Sequence, residues 1–348
     1  MDFQQFKQEY QTIEPEEVAI SNQDEPLVSI CLQTYQHAGF IKDCLNGILM
    51  QETNFPFEVL IGEDGSTDGT REICMEYVEK YPEKIKLFLH HRENNIKING
   101  HPTGRFNFVY NLFKARGRYI ALIDGDDYWT DPQKLQMQVD FLNQDRSSKI
   151  CFTGNSYLTP KNEFYKRPAK NIIARGDFSD LLKENYIVNS TVVFRNEISK
   201  EGLPSFLMNT FTGDWPLHLW LLKDGGKLSF LNIDTTVYRL NVGISKQWKD
   251  KTCLILKSRL LMKNMLLDHN GFRNYSDGIK INLKKEHLSL MSYYAKRRQI
   301  FSSIFHMFKA MSSLNFLTTL KVYVYSIKLG LWSNFELTFE KIKKRFIS

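Results

Sequence analysis

Two short apolar runs of this chain each end in a cluster of carboxylates. The first is VLIGEDGSTDGT, residues 59–70, and the second is YIALIDGDDYWTDPQKL, residues 119–135. Each apolar run has the length and composition of a buried strand, and each stops in residues that favour a turn. Because parallel strands place ligand groups at their carboxyl ends, the pattern predicts one site built by both loops. Carboxylates alone would repel a diphosphate, so we expect Mg²⁺ or Mn²⁺ between protein and ligand, since both bind hard oxygen ligands.

Strand-like and helix-like segments alternate around these loops as far as about residue 154. This alternation predicts an α/β fold with a right-handed, Rossmann-like, mostly parallel sheet flanked by helices. The expected strands are 27–32, 59–61, 85–89 and 119–123, and the expected helices are 40–50, 70–81, 106–115 and one opened by Pro132. We expect a polar arm over residues 1–26, shorter elements over 155–248 and a mainly helical appendage over 249–348.

Composition narrows the class of protein. The chain has 348 residues, 42% of them hydrophobic, which suffices for a large core. Its five cysteines are odd in number and lack CxxC spacing, as expected of reduced thiols in a cytoplasmic protein. We recognise neither a signal peptide nor a transmembrane segment in the sequence. The net charge of +7 is not gathered into a basic stripe or a zinc-finger pattern, so we expect no nucleic-acid partner.

Three blocks in order carry a family resemblance. VSICLQTYQHAGFIKDCLNGIL, EVLIGEDGSTDGT and GRYIALIDGDDYWTDPQKLQMQ resemble the nucleotide-sugar half of glycosyltransferase family 2, which has the GT-A fold. The resemblance is strong over residues 26–154 and thinner to about 245. It implies a nucleotide-sugar-binding half over 27–154 and an acceptor-side half over 155–248. EDGSTDGT with GDDYWTDPQKL is similar to members that build bacterial surface polysaccharides.

The resemblance assigns roles to the DGDD cluster. It implies that Asp126 faces the ribose or the metal, that Asp127 is the foremost metal ligand and that Asp124 supports them. Gly125 would let the backbone and the cation approach closely. The alternative is a solvated turn whose aspartates cap a helix.

The resemblance also implies a site for the nucleobase. Thr34 and Tyr35 match a pair that contacts the base, with Tyr35 stacking on it, and Asp64 matches an acid that hydrogen-bonds the base. Arg105 would reach the base or a phosphate, or else be a surface cation. Asp68 is either a ligand or the N-cap of the following helix.

Two further segments resemble the acceptor side of the family. In TGDWPLHLWLLKDGG, residues 212–226, Asp214 stands where the family has its general base, although an N-cap is the alternative. In VYRLNVGIS, residues 237–245, Arg239 and Ser245 match a segment that folds over the diphosphate. Asn241 stands where histidine is common, which puts a metal or phosphate role at that position in doubt.

The C-terminal region suggests a surface contact. Phe301, Ile304, Phe305 and Phe308 share one helical face, and residues 296–348 carry ten bases against two acids. This combination favours peripheral contact with an anionic membrane, which a lipid-linked acceptor would suit. Packing on the catalytic body or on a partner subunit is the alternative.

Three functions compete at this stage. The leading one is an inverting, metal-dependent glycosyltransferase that moves a sugar from a nucleotide-diphosphate donor, a UDP-sugar, to a hydroxyl of a glycan or lipid-linked glycan. A sugar-phosphate nucleotidyltransferase would show a glycine-rich basic loop after the first strand, where this chain has LQTYQHAGF. A non-catalytic nucleotide-sugar-binding or scaffold subunit is the third.

Overall fold

The structure is a computed structural model that describes residues 1–18, 25–98, 100–168, 172–242 and 251–311. The chain divides into two compact units, residues 1–248 and 249–348. The strands are β1 (Glu16–Val18), β2 (Val28–Thr34), β3 (Phe57–Glu63), β4 (Ile85–Leu89), β5 (Lys97–Ile98), β6 (His101–Pro102), β7 (Tyr119–Asp124), β8 (Tyr128–Trp129), β9 (Ser148–Leu158), β10 (Phe164–Lys166), β11 (Arg175–Gly176), β12 (Val192–Arg195) and β13 (Lys227–Arg239). The helices are α1 (Phe3–Tyr10), α2 (Ile41–Leu49), α3 (Thr70–Lys80), α4 (Arg105–Lys114), α5 (Lys134–Gln144), α6 (Phe178–Lys183), α7 (Ile198–Glu201), α8 (Asp214–Leu221), α9 (Lys251–Asp268), α10 (Ser276–Lys296) and α11 (Ile300–Met311).

A mixed sheet forms the centre of the first unit. Among the described residues it has the order β1-β4-β3-β2-β7-β12-β9-β13-β11, with β10 beside β9 and β8 beside β13. Strands β4, β3, β2 and β7 run parallel, whereas β12 is antiparallel to both of its neighbours. Every residue of β3 is buried, as in a parallel strand covered on both faces. The predicted α/β fold with a mostly parallel sheet is confirmed.

The sheet continues past the point where the sequence changes character. Residue 154 lies inside β9, which pairs with β12 and runs parallel to β13. Strand β12 in turn pairs with β7, the strand that leads into the DGDD loop. Residues on both sides of position 154 therefore belong to one continuous sheet.

The N-terminal segment is more ordered than a polar arm. Asp2 and Gln5 form a capping box that opens α1. Phe6 on this helix is fully buried, and its ring lies 5.1 Å from that of Phe106 on α4. Strand β1 then adds an antiparallel edge to β4. Aromatic residues between the acids anchor this segment to the first unit. The excess of acidic charge alone had predicted a polar arm.

The second unit is helical over its described residues. Lys263 on α9 and Glu286 on α10 form a buried ion pair with an Nζ–Oε1 distance of 2.6 Å. Helix α11 leaves Phe301, Phe305 and Phe308 exposed. None of the described helices is both long and apolar enough to cross a membrane. The basic residues that follow Met311 in the sequence lie outside the described residues.

Candidate functional site

The two acidic loops lie at one edge of the sheet. Strand β2 lies between β3 and β7, with Thr34 opposite Glu63 and Gln33 opposite Asp124. All three strands are parallel, so the loops that follow them leave on the same side. The sheet therefore brings together the loops that the sequence placed at one site.

Asp124 ends β7 with both carboxylate oxygens hydrogen-bonded. Gln33 Nε2 donates to Oδ1 over 2.7 Å, and Asn189 Nδ2 donates to Oδ2 over 3.1 Å. Burial, with the charge of Asp126 adding to it, raises the pKa of Asp124 to about 6. Neutral amides thus orient this carboxylate without neutralising it.

Asp127 is the innermost member of the DGDD cluster. Ser190 Oγ donates to Oδ2 over 2.7 Å, and the backbone N–H of Arg239 donates to Oδ1 over 3.1 Å. Burial and then the charges of Asp126 and Asp124 hold the pKa of Asp127 well above its ordinary value. Both oxygens therefore accept a hydrogen bond that holds Asp127 in place, and its predicted role as the foremost metal ligand stays a prediction.

Asp126 is the carboxylate that points away from such donors. Its side chain is 18% exposed, and the nearest basic atom is His37 Nε2, 3.8 Å from Oδ2. Burial raises the pKa of Asp126 to about 6, although its own backbone N–H and then the charge of Arg239 oppose the shift. Within the described residues, no group of three or more His, Cys, Asp and Glu side chains is arranged to hold a metal ion. Free carboxylate oxygens on Asp126 fit a cation whose other ligands come from a bound diphosphate and water.

Gly125 is required by close packing. A Cβ at this position would lie 2.6 Å from Thr34 Oγ1 and 2.8 Å from His37 Nδ1. Both distances are too short for carbon, so a larger residue would displace these side chains. Thr34 is itself buried, and its hydroxyl lies 3.1 Å from His37 Nδ1. The Thr34 side chain is thus directed toward His37, and its predicted contact with the base stays a prediction.

Arg239 links the acidic loop to helix α2. Its Nη1 donates to the backbone carbonyl of Asp126 over 2.7 Å, and Nη2 donates to Asp43 Oδ2 over 2.5 Å. The guanidinium also lies over the ring of Tyr128, 4.6 Å from its centroid. Arg239 therefore braces the loop, and its predicted contact with the donor stays a prediction. Ser245 lies outside the described residues.

Tyr35 and Asp64 are joined by an arginine that the sequence analysis missed. The guanidinium of Arg92 lies 4.0 Å from the centroid of the Tyr35 ring and donates to Asp64 Oδ2. Asn95 Nδ2 donates to the same oxygen over 3.2 Å. Burial raises the pKa of Asp64 to about 6 against the opposing charge of Arg92. A flat cation thus makes the stacking and hydrogen-bonding contacts that were predicted for a nucleobase.

A cavity of about 600 Å³ opens beside the acidic loop. Asp124 and Asp214 both line it. Asp214 is the first residue of α8, and its Oδ2 accepts a hydrogen bond of 2.9 Å from Asn185 Nδ2. No described residue donates to Oδ1, which leaves that oxygen for a ligand. The other lining residues are Gln33, Pro102, Thr103, Gly104, Arg105, Phe108, Tyr157, Arg167, Asn185, Tyr186, Ile187, Val188, Asn189, Phe211, Gly213, Tyr238 and Leu240.

Arg105 lies in the wall near Asp214. Its Nη2 donates to the carbonyls of Thr210 and Phe211 over 2.8 and 3.3 Å, and Nη1 would clash with a Cβ at Gly213. Burial lowers the pKa of Arg105 to about 10, while the charge of Asp214 raises it. The residue therefore positions the loop before α8 and is not a surface cation. Its predicted contact with base or phosphate stays a prediction.

Several polar residues of the site escaped the sequence analysis. Apart from Arg92 they carry amide, hydroxyl or imidazole groups to which no motif assigned a role, so their part in the site depends on the fold. They are Gln33, His37, Arg92, Asn185, Asn189 and Ser190. Only Arg92 had a usable signal, because HHRENN follows β4 at the same sheet edge.

A family profile and several relatives match this sequence. The sequence profile of Glycosyl transferase family 2 matches residues 29–203. An uncharacterized protein of Mycobacterium tuberculosis is 36% identical over 219 residues, which are 61% of this chain and 58% of that protein, so less than two thirds of that relative is matched. TuaG of Bacillus subtilis, named as a glycosyltransferase of teichuronic acid biosynthesis, is 32% identical over 231 residues, 64% of this chain and 84% of TuaG.

Solved structures resemble the fold. Residues 1–349 of TarS from S. aureus align with a TM-score of 0.60 at 17% identity, over 90% of this chain and 91% of that one. The mannosyltransferase PcManGT from Pyrobaculum calidifontis, solved with GDP-Man and Mn²⁺, aligns with a TM-score of 0.56 at 15% identity, over 99% and 91% of the two chains.

Proposed function

The chain belongs to glycosyl transferase family 2, and from this premise we propose that it transfers a sugar from a UDP-sugar to a hydroxyl of a glycan or lipid-linked glycan, with inversion at the anomeric carbon. The observation that carries the proposal is the cavity lined by Asp124 on the nucleotide side and by Asp214 on the other. A sugar held in that cavity would have its leaving group toward the acidic loop and its opposite face toward Asp214.

The donor would be held by the sheet edge. Tyr35 would stack on the base, and Asp64 would accept its imide N–H, with Arg92 moving aside or sharing Asp64. Asp126, supported by Asp124 and braced through Asp127, would hold Mg²⁺ or Mn²⁺. A divalent cation bound there would neutralise the charge that develops on the leaving diphosphate. The Mn²⁺ and GDP-Man of PcManGT, and a TarS structure with UDP-GlcNAc, support a nucleotide-sugar donor of this kind.

Asp214 would act as the general base. Asn185 orients one oxygen, and the other is left to accept the proton of the acceptor hydroxyl as it attacks. Among the described residues that line the cavity, Asp124 and Asp214 are the carboxylates, and the amides of Gln33 and Asn189 occupy Asp124. A single free carboxylate supports direct displacement with inversion over a covalent sugar intermediate. The name of TuaG supports an acceptor in cell-envelope polysaccharide synthesis.

Replacing Asp214 tests the proposal. Asp214→Asn keeps the shape but cannot take a proton, so turnover should fall by about 10² to 10⁴. UDP affinity should not change, because the cation site is untouched. Asp224→Asn is a matched control, since that carboxylate is exposed and pairs with Lys223. Normal turnover in Asp214→Asn, or NMR evidence that the product keeps the donor's anomeric configuration, would contradict the proposal.

The same assays separate the alternative functions. A scaffold subunit would bind UDP and yet show no turnover with any donor and acceptor pair. A sugar-phosphate nucleotidyltransferase would release pyrophosphate from a nucleoside triphosphate and a sugar phosphate. Neither alternative explains why a free carboxylate shares the cavity with Asp124.

We also propose that α11 contacts an anionic membrane. Phe301, Phe305 and Phe308 are 91%, 56% and 60% exposed, as expected of a face that enters the headgroup region. The variant Phe301→Ser/Phe305→Ser should pellet less with vesicles of phosphatidylcholine and phosphatidylglycerol while donor hydrolysis is unchanged. Equal pelleting of variant and parent would contradict membrane contact and favour packing of this face against protein.

A further inference from the structure

We propose that His37 is a protein ligand of the divalent cation, together with Asp126, and that it makes the site prefer Mn²⁺ to Mg²⁺; this inference rests on the proposed function. His37 lies in the loop between β2 and α2, outside both acidic clusters of the sequence. Neither its position nor its neighbours in sequence mark it as a ligand. The evidence is that its imidazole ring points toward Asp126 and is held in that orientation by neighbouring side chains.

The imidazole is buried and aimed at the acidic loop. His37 is 8% exposed, and its Nε2 lies 3.8 Å from Asp126 Oδ2. This separation is too long for a hydrogen bond, and no described residue offers Nε2 another partner. Two atoms that each lie about 2.1 Å from one cation are separated by roughly 3.0 to 4.2 Å, depending on the angle between them. The observed distance falls in that window.

The surroundings of His37 fix the ring in this direction. Thr70 Oγ1 accepts a hydrogen bond from the His37 backbone N–H over 2.8 Å. Thr34 Oγ1 lies 3.1 Å from Nδ1, and Gly125 leaves room for both side chains. In the proposed site Nδ1–H donates to Thr34, so the Nε2 lone pair faces Asp126. Metal-binding histidines are oriented in this way by a hydrogen bond from their second nitrogen.

Two protein ligands suffice for such a site. Mg²⁺ and related ions are commonly held by one or two side chains plus substrate phosphates and water. This accounts for the lack of a three-ligand cluster among the described residues. An imidazole nitrogen is a poorer ligand for Mg²⁺ than for a transition metal, so one nitrogen in the set favours Mn²⁺.

Pulsed electron paramagnetic resonance tests the inference directly. We would record the ¹⁴N modulation of Mn²⁺ bound to the wild-type protein with UDP, after calorimetry has shown that UDP binding requires Mn²⁺. An imidazole ligand gives a characteristic ¹⁴N signal, which should be present. If UDP binding depends on Mn²⁺ and this signal is lacking, His37 is not a ligand while the proposed cation site stands. If UDP binds equally well in EDTA, the proposed cation site and this inference both fail.

Variants then identify the nitrogen. His37→Gln should abolish the ¹⁴N signal, weaken Mn²⁺-dependent UDP binding by about 10-fold or more and reduce the preference for Mn²⁺ over Mg²⁺. His269→Gln, in the second unit, is the control and should retain all three properties. Thr34→Val should keep the signal but weaken Mn²⁺ binding, because the ring loses its orienting partner. A signal that survives in a folded His37→Gln protein would assign the nitrogen to another residue and overturn the inference.

Discussion

The two acidic loops have similar compositions but differ in whether their carboxylates pair with cationic side chains. In the loop after β3, each carboxylate has a cation or a backbone N–H as its partner. Glu63 pairs with Arg71 Nε over 2.5 Å, and Asp64 pairs with Arg92. Hydrogen bonds lower the pKa of Asp68 against the effect of burial. The protein itself neutralises this loop.

The loop after β7 is not neutralised. Burial raises the pKa of Asp124, Asp126 and Asp127, as it raises that of Asp64, but the hydrogen-bond donors to Asp124 and Asp127 are neutral groups. Arg239 binds a backbone carbonyl of this loop, and Lys134 faces away toward Trp129. An added cation would therefore gain most at the second loop. We place the proposed cation at the second loop because its acids lack cationic side-chain partners, and not because of their number.

The strongest test of this contrast is Asp126→Asn. Removing one charged partner of a cation bridge should weaken UDP binding in Mn²⁺ by about 10² to 10³. The pKa of Asp126 is raised to about 6 in the folded protein, so its ionisation lowers stability progressively as the pH rises from about 4, the usual pKa of an aspartate, and by the full amount above about 6. The Tm of the ligand-free variant should therefore exceed that of the parent at pH 7, and the difference should shrink at pH 4.

Calorimetry and thermal denaturation measure both effects, and Asp140→Asn is the control. Asp140 is an exposed carboxylate that accepts a hydrogen bond from Gln136. If Asp126→Asn kept full Mn²⁺-dependent affinity, the second loop would be no more a cation site than the first.

Lys134 provides the next test, because a lysine near the second loop could have neutralised it. Its Nζ donates to Gln138 Oε1 over 2.6 Å and lies 4.3 Å from the Trp129 ring centroid. Burial lowers the pKa of Lys134 to about 7. Between pH 7 and 10 the unfolded chain binds a proton that the folded chain does not, so the free energy of unfolding should rise with pH, by about 3 to 4 kcal/mol.

Lys134→Met should remove that rise. Denaturant unfolding of parent and variant at several pH values gives the difference, in which other titrating groups cancel. Mn²⁺-dependent UDP binding should be unchanged, since the Lys134 side chain contacts none of Asp124, Asp126 and Asp127. Parallel pH profiles for the two proteins would show that the lysine is charged when folded.

The sequence predicted some of these features of the fold and the site and missed others. Strand and helix patterns were sufficient for β2, β3, β4, β7 and the helices between them, because buried parallel strands are short apolar runs. They were insufficient for α1, where Phe6 fixes a charged segment, and for β12, whose place beside β7 depends on long-range pairing. The DGDD loop was found by its composition. The different roles of its three aspartates depend on Gln33, Ser190 and Arg239, which lie far apart in sequence.

A smaller effect is expected from removing a cation of the first loop. Glu63 has a fully buried side chain, and Arg71→Met would leave it with the backbone N–H groups of Gly65 and Ser66 as donors. Breaking a buried pair costs about 3 to 5 kcal/mol, and because Arg71 is partly exposed and two donors remain, we expect about 2 kcal/mol. Urea denaturation measures the loss, with Arg146→Met as an exposed control. If UDP binding by Arg71→Met no longer depended on Mn²⁺, the two loops would be coupled, and they would not differ as proposed.

The smallest effect should come from Asp68, for which the sequence left a ligand and an N-cap as alternatives. Its Oδ1 accepts a hydrogen bond of 3.1 Å from the backbone N–H of Thr70 at the start of α3, and Oδ2 accepts one of 3.0 Å from the N–H of Ala38. Gly69 is the N-cap residue of α3, so Asp68 accepts the N–H of Thr70 from the position before the cap, and its second bond ties it to the loop before α2. Asp68→Ala should lower the free energy of unfolding by about 1 kcal/mol, a loss similar to that of an N-cap, and Asp68→Asn should recover most of it, because asparagine can accept the same bonds. Neither variant should change Mn²⁺-dependent UDP binding, since both oxygens of Asp68 already accept bonds from the backbone. A loss of UDP affinity in Asp68→Asn without a loss of stability would instead make Asp68 a ligand, and the first loop would then share the cation site.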